Sequence, residues 1–186
     1  RTFNLQQRQI ICEALEQFFQ TQDWNSADWK AVSRILEKSR TEFYNFHPIE
    51  RHEEKTMRSR FDAAFSAINQ KLLEIQTTNE ARKQQLVNTA NSVAEMVDTE
   101  KAIERFLQLQ EQWKQIGITR HHEDRKLWQA LQDAGKRIFD KRRTAQQQQR
   151  QTQDEQITQA KAVCERIAQL AALSDDELSQ SAATFE

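Results

Sequence analysis

The sequence predicts an all-α protein: elongated helical hairpins, or coiled-coil-like bundles, built from tandem repeats and joined by long helices. Three observations predict it. The 186 residues include 2 Gly and 1 Pro, against about 7% and 5% in an average protein, so sheet turns and glycine-rich phosphate loops lack their residues. Charged residues reach 30%, there are 26 glutamines, and mean hydropathy is -0.90, which describes a well-hydrated chain. Hydrophobic residues make up 37%, thin for one round core, yet they recur at helical spacing almost throughout.

The first helix is expected from about Asn4 to Gln20, with Ile11, Leu15 and Phe18 or Phe19 on one face. Thr21 to Asn25 interrupts it. Ser26 then reads as an N-cap with Asp28 in the first turn, and Trp29, Val32, Leu36 and Phe43 continue to about Phe46. Pro48 disfavours α geometry at His47 and can itself open the next helix. From there Met57, Phe61, Ala64, Phe65, Ile68, Leu72 and Ile75 form a stripe. After the polar-leaning stretch Gln76 to Gln85, the stripe resumes at Leu86, Ala90, Val93 and Val97 without a breaker. One helix of about 45 residues, roughly 70 Å long, follows from that continuity.

Asp98-Thr99 caps a helix carrying Ile103, Phe106, Leu109, Trp113 and Ile116, and Gly117 stands where a left-handed residue often ends a helix, with Ile118 behind it as the usual apolar contact. The next long helix places Leu127, Trp128, Leu131, Ala134, Ile138 and Phe139 on its buried side, and Gly135 admits a close neighbour. Between Asp140 and Gln156 the only apolar residue is Ala145. Apolar spacing returns at Ile157, Ala160, Cys164, Ile167 and Ala171, and this stripe needs a partner: the Leu86 to Val97 stripe, another repeat or another protein. Ser174-Asp175-Asp176-Glu177 matches a capping box and announces a further helix.

The formal net charge of -1 excludes a uniformly basic nucleic-acid binder. Its distribution is uneven: Trp113 to Arg150 carries 10 Lys/Arg against 4 Asp/Glu, and Asp154 to Glu186 carries 2 against 7. Cys12 and Cys164, far apart and without a CxxC spacing, read as reduced thiols of a cytoplasmic protein, a single long-range disulfide being the other option. No apolar run approaches a membrane span, and no signal peptide opens the chain. Arg1 at the start and Glu186 at the end suggest a piece of a larger polypeptide.

A repeat links the two halves. Trp29-Lys30-Ala31-Val32 parallels Trp113-Lys114-Gln115-Ile116, while Glu54, Met57, Phe61, Ala64 and Ile68 parallel Asp124, Leu127, Leu131, Ala134 and Ile138. The two offsets, 84 and 70, imply about 14 extra residues in the first copy, between Ile35 and Pro48. The partition expected is 1–25, a helix completing or continuing a preceding repeat; 26–97, a degenerate repeat; 98–173, a better-matched repeat; and 174–186, the truncated start of another. The second copy, with Trp113-Lys114-Gln115-Ile116-Gly117, Arg120, Asp124, Leu127-Trp128, Leu131 and Ala134, resembles the bacterial tandem-repeat family called domain of unknown function 349. Leu131 replaces that family's usual Phe, and Arg58 stands in the first copy where Trp128 stands in the second. The resemblance implies the repeat architecture and carries no activity onto any residue.

No constellation of residues points to catalysis or to a cofactor. Among His121, His122, Glu123 and Asp124, His121 and Asp124 have the i,i+3 spacing that could place two ligands on one face, but a metal would need more partners and the only other histidines are His47 and His52; both cysteines sit on apolar stripes without a neighbouring His. The expected function is therefore a non-enzymatic scaffold or interaction module, meeting a protein partner or neighbouring repeats through apolar stripes, with Trp29, Trp113 and Trp128 as core anchors. The alternative is nucleic-acid or ribosome-associated binding through Arg120, Arg125, Lys126, Lys136, Arg137, Lys141, Arg142, Arg143 and Arg150.

Overall fold

The computed structural model describes residues 1–173, 177, 179, 180 and 182. Its helices are α1 (Thr2–Thr21), α2 (Trp29–Asn45), α3 (Arg51–Ala94), α4 (Thr99–Gln115) and α5 (His121–Ala171). Among the described residues every regular element is helical. The expected capping box at Ser174-Asp175-Asp176-Glu177 lies outside the described residues apart from Glu177.

These helices form two three-helix bundles strung on one shaft. The first consists of α1, α2 and the N-terminal half of α3, around Leu15, Leu36, Phe43, Phe61 and Ile68. The second consists of the C-terminal half of α3, α4 and the N-terminal part of α5, around Ala90, Phe106, Leu131 and Ile138. α3, 44 residues and about 66 Å long, therefore serves both cores. Ile118, in the corner before α5, packs against the first core rather than behind the end of α4, so the second bundle touches the first through more than the shaft.

Superposing the bundles in sequence removes the 14-residue insertion. The N-caps Asp28 and Asp98 lie 70 positions apart, as do the ends of α2 and α4, each of 17 residues, and the starts of α3 and α5. Trp113 thus corresponds to Phe43, not to Trp29. The Trp-Lys doublets at 29 and 113 stand at opposite ends of their short helices. The first helices are offset by 75, pairing Asn4 with Asn79, Arg8 with Lys83 and Leu15 with Ala90. The difference between the two offsets leaves five extra residues in the first copy, at the α1–α2 connection, where Trp24 stacks on Trp29 with ring centroids 5.8 Å apart and meets Phe18 and Phe19. Trp29 closes this connection.

Several local expectations change. Ser26 does not cap α2: its hydroxyl donates to Asp23 Oδ2 at 2.7 Å, and Asp28 Oδ1 accepts from the backbone N–H groups of Lys30 and Ala31. Pro48 lies ahead of α3 rather than in its first turn. Gly117 is not left-handed, since no glycine has positive φ. It leaves room for Asn79: a Cβ there would stand 3.0 Å from Asn79 Nδ2, which would have to give by a few tenths of an ångström. Trp128 and Phe139 are substantially exposed. Each follows a core residue, Leu127 or Ile138, by one position, about 100° around the helix, and lies at the rim against Trp113 or Phe106. Cys12 is buried and Cys164 is exposed, and both are free thiols.

Gly135 does admit a close neighbour: a Cβ there would fall 2.3 Å from Phe106 Cζ and 2.6 Å from Cε1. Phe106 is itself 1% exposed and cannot swing aside. Gly135→Ala therefore lowers stability despite the helix-propensity gain of about 1 kcal/mol. Overpacking costs about 1–3 kcal/mol, and contact with a locked ring puts this site in the upper part of that range. Urea unfolding monitored by far-ultraviolet circular dichroism measures the difference.

Candidate functional site

Two features stand out chemically: a buried cation in each bundle, and the part of α5 that leaves the second bundle. In the first bundle Arg8 is 1% exposed. Its Nη1 donates to Glu54 Oε1 at 3.0 Å, its Nε donates to the Phe43 carbonyl at 3.1 Å, and the guanidinium lies 4.6 Å from the Phe43 ring centroid. In the second, Lys83 pairs with Asp124 and its Nζ stands 4.7 Å from the Trp113 ring centroid. Each lock joins a cation on the first helix, an aromatic on the short helix and a carboxylate in the first turn of the next long helix, where the helix dipole favours negative charge. Asn4 Nδ2 donates to the Pro48 carbonyl, and Asn79 Nδ2 to the Ile118 carbonyl, so the corner is tied the same way twice.

Arg8, Asn79 and Lys83 were not singled out from sequence. The signal was present: Arg8 and Lys83 each occur four residues before a core residue, Cys12 or Val87, on the same helical face. Burial raises the Asp124 carboxyl, but hydrogen bonds from Lys83 and Thr119 outweigh it and hold the group below its ordinary 3.8. Glu80 is held below its ordinary 4.5 by hydrogen bonds from Arg120, whose guanidinium meets it at 2.6 and 2.9 Å.

The nine predicted site cations do not make one free positive face. Arg120 holds Glu80 of α3, and Arg137 reaches Asn91 and Glu95. Lys141 donates to the Ala94 carbonyl at the end of α3, and Arg142 lies 3.1 Å from Glu100 of α4 without hydrogen-bond geometry. Arg125 meets His121, Lys126 meets Glu123 and Arg143 meets Asp140 within α5. Among the described residues Lys136 and Arg150 have no ion pair. His121 and Asp124, considered as a ligand pair, are occupied separately by Arg125 and by Lys83 with Thr119.

Beyond the second bundle every residue from Arg143 to Ala172 is exposed. Ile157, Val163, Ile167 and Leu170 are 52%, 58%, 60% and 43% exposed on this free length, about 43 Å of helix. No described helix is long and apolar enough to cross a membrane.

The fold and these features define a tandem helical-repeat protein, two equivalent bundles on a shared helix with a free helical extension. Residues 55–120 and 126–186 each match the model of the family described as Domain of Unknown Function (DUF349), and the chain belongs to that family. The first match runs from α3 through α4 to the corner at Arg120. No curated protein and no solved structure matches the chain.

Replacing Lys83 with Ala leaves Asp124 without its cation and costs about 1–3 kcal/mol in urea unfolding, the cost of losing a charge-assisted bond at a half-exposed carboxylate. Lys83→Met with Asp124→Leu recovers most of that loss, because an apolar pair needs no desolvation of charge. Acid has a related effect. Carboxyls whose folded values lie below 3.8 and 4.5 stabilise the fold fully above those values and lose that contribution as pH falls through the lowered ones. The thermal midpoint is expected to drop below about pH 4, and to drop less steeply in Glu80→Gln with Asp124→Asn.

Proposed function

We propose that this chain is a non-enzymatic helical-repeat module that binds a protein partner along the free length of α5, with the two bundles as its anchor. The carrying observation is the exposed apolar face of Ile157, Val163, Ile167 and Leu170, about 140° wide, on a length of helix that no other described element covers. A helix standing alone in water is marginal and is usually stabilised by burying an apolar face. Good helix formers such as Gln, Arg and Ala keep this one formed, and each large apolar side chain left in water forgoes about 1.5–3 kcal/mol of burial.

A second reading, nucleic-acid binding, draws on Lys136 and Arg150, which have no ion pair among the described residues. The remaining cations of that stretch would have to exchange carboxylate or carbonyl partners for phosphate, and for this reason we favour protein.

Affinity capture on the whole chain, with and without nuclease, tests the choice. A partner retained after nuclease and lost in Ile157→Asp with Ile167→Asp is the expected result, with the melting of the bundles unchanged. Capture that disappears with nuclease transfers the function to the second reading, and capture indifferent to both substitutions removes α5 from it.

A further inference from the structure

The free length of α5 repeats the register of α3. Asn79, Lys83, Val87, Ala90, Val93 and Ala94 form the face of α3 that the second bundle buries. Seventy positions later stand Gln149, Gln153, Ile157, Ala160, Val163 and Cys164. The same spacing of 70 separates Met57, Phe61, Ala64 and Ile68 from Leu127, Leu131, Ala134 and Ile138, which fill equivalent places in the two cores. The end of α5 thus stands to the second bundle as the end of α3 stands to the first.

The width of the face indicates what covers it. On α3 the adjacent pair Val93 and Ala94 is buried because α4 and α5 both pack there. On α5 the corresponding neighbours Val163 and Cys164 are both apolar, and with Ile157 and Ala160 they spread over about 120° of the helix, broader than the seam of a two-stranded coiled coil. Where α5 leaves the second bundle, Ala94, Lys141, Thr144, Ala145 and Gln148 line an open groove of about 460 Å³. It continues the interface between α3 and α5 onto the free face.

We propose that residues 149–171 of α5 form the first helix of a third three-helix bundle, completed by a partner of this family's own design: a short helix followed by a long one, like α4 and the start of α5. This rests on the proposed function and names the class of its protein partner. Gln153 replaces the buried cation, so the partner needs no buried carboxylate to neutralise a charge there.

The probe is a recombinant segment of this chain, 98–143, which contains α4, the corner and the start of α5 and has no cysteine. Added to the 186-residue chain, it is expected to slow modification of Cys164 by a thiol reagent in a saturable way. Cys12 does not interfere, being buried, with its thiol pushed up to about 11 by that burial. Ile157→Asp with Val163→Asp abolishes the protection. Gln153→Lys strengthens it about tenfold, because the new ammonium can pair with Asp124 of the probe as Lys83 does.

Unchanged labelling at excess probe, or protection that survives Ile157→Asp with Val163→Asp, overturns the proposal. So does Cys164 already shielded in the chain alone, with sedimentation assigning the cover to a second copy or to the chain itself. If the probe fails while the α5 substitutions still abolish partner capture, this inference falls and the proposed function stands.

Discussion

Everything in this structure depends on α3 remaining one helix across two cores. Its buried positions run Met57, Phe61, Ala64, Ile68, Leu72, Asn79, Lys83, Val87, Ala90 and Ala94, bridged near the middle by half-buried Ile75. That is ten steps over 37 residues, about 3.7 per step against 3.6 residues per turn, so on a straight helix the buried face drifts by about 100° from one end to the other. Two bundles on such a shaft are turned relative to each other. A break in α3 would leave that angle unspecified, and the absence of Gly and Pro between Pro48 and Gly117 is what prevents a break.

The locks fix where the other helices sit on the shaft. Aliphatic stripes tolerate a slide of one turn, because a Leu or Ala finds similar neighbours either way. A buried cation does not, since displacement leaves it unpaired in a low-dielectric site while its half-exposed carboxylate returns to water. Arg8 with Glu54 and Lys83 with Asp124 are such pairs, each roofed by an aromatic from the short helix, so one contact sets the register of three elements. The chemistry differs between bundles while the placement is kept. Conserved position with altered side chains is what a register device needs.

Among the described residues, helix number, order and most boundaries are legible in the sequence because the apolar period and the caps are local properties. Asp98 could be recognised as a cap without knowing anything distant, and it does cap α4. What was not legible depended on through-space neighbours. Gly117 sits at a helix end, where a left-handed conformation is the local expectation. Its actual role, making room for Asn79, requires knowing that a residue 38 positions earlier faces it. Cys164 and Cys12 have similar local surroundings, yet only Cys12 has helices packed over it. The Trp-Lys doublets at 29 and 113 share residue type without sharing a place in the fold, whereas Phe43, the true counterpart of Trp113, shares with it only a ring over a cation.

The charge asymmetry has a structural origin. Arg120, Arg137 and Arg142 meet Glu80, Glu95 and Glu100 across helices, and Lys126 and Arg143 pair with Glu123 and Asp140 along α5 itself, so much of the positive stretch in sequence becomes a set of ion pairs in space. The glutamine-rich tract between Asp140 and Gln156 corresponds, at the 70-residue spacing, to 70–86 of α3, the stretch by which the shaft crosses from one bundle to the next. In α3 the middle of that crossing, Gln76 to Gln85, is polar-leaning because it passes between the cores, yet it still contributes Asn79 and Lys83 to the second bundle. The tract in α5 therefore needs no ligand to account for its polarity. It is the same crossing, and the apolar residues beyond it mark where a core would resume.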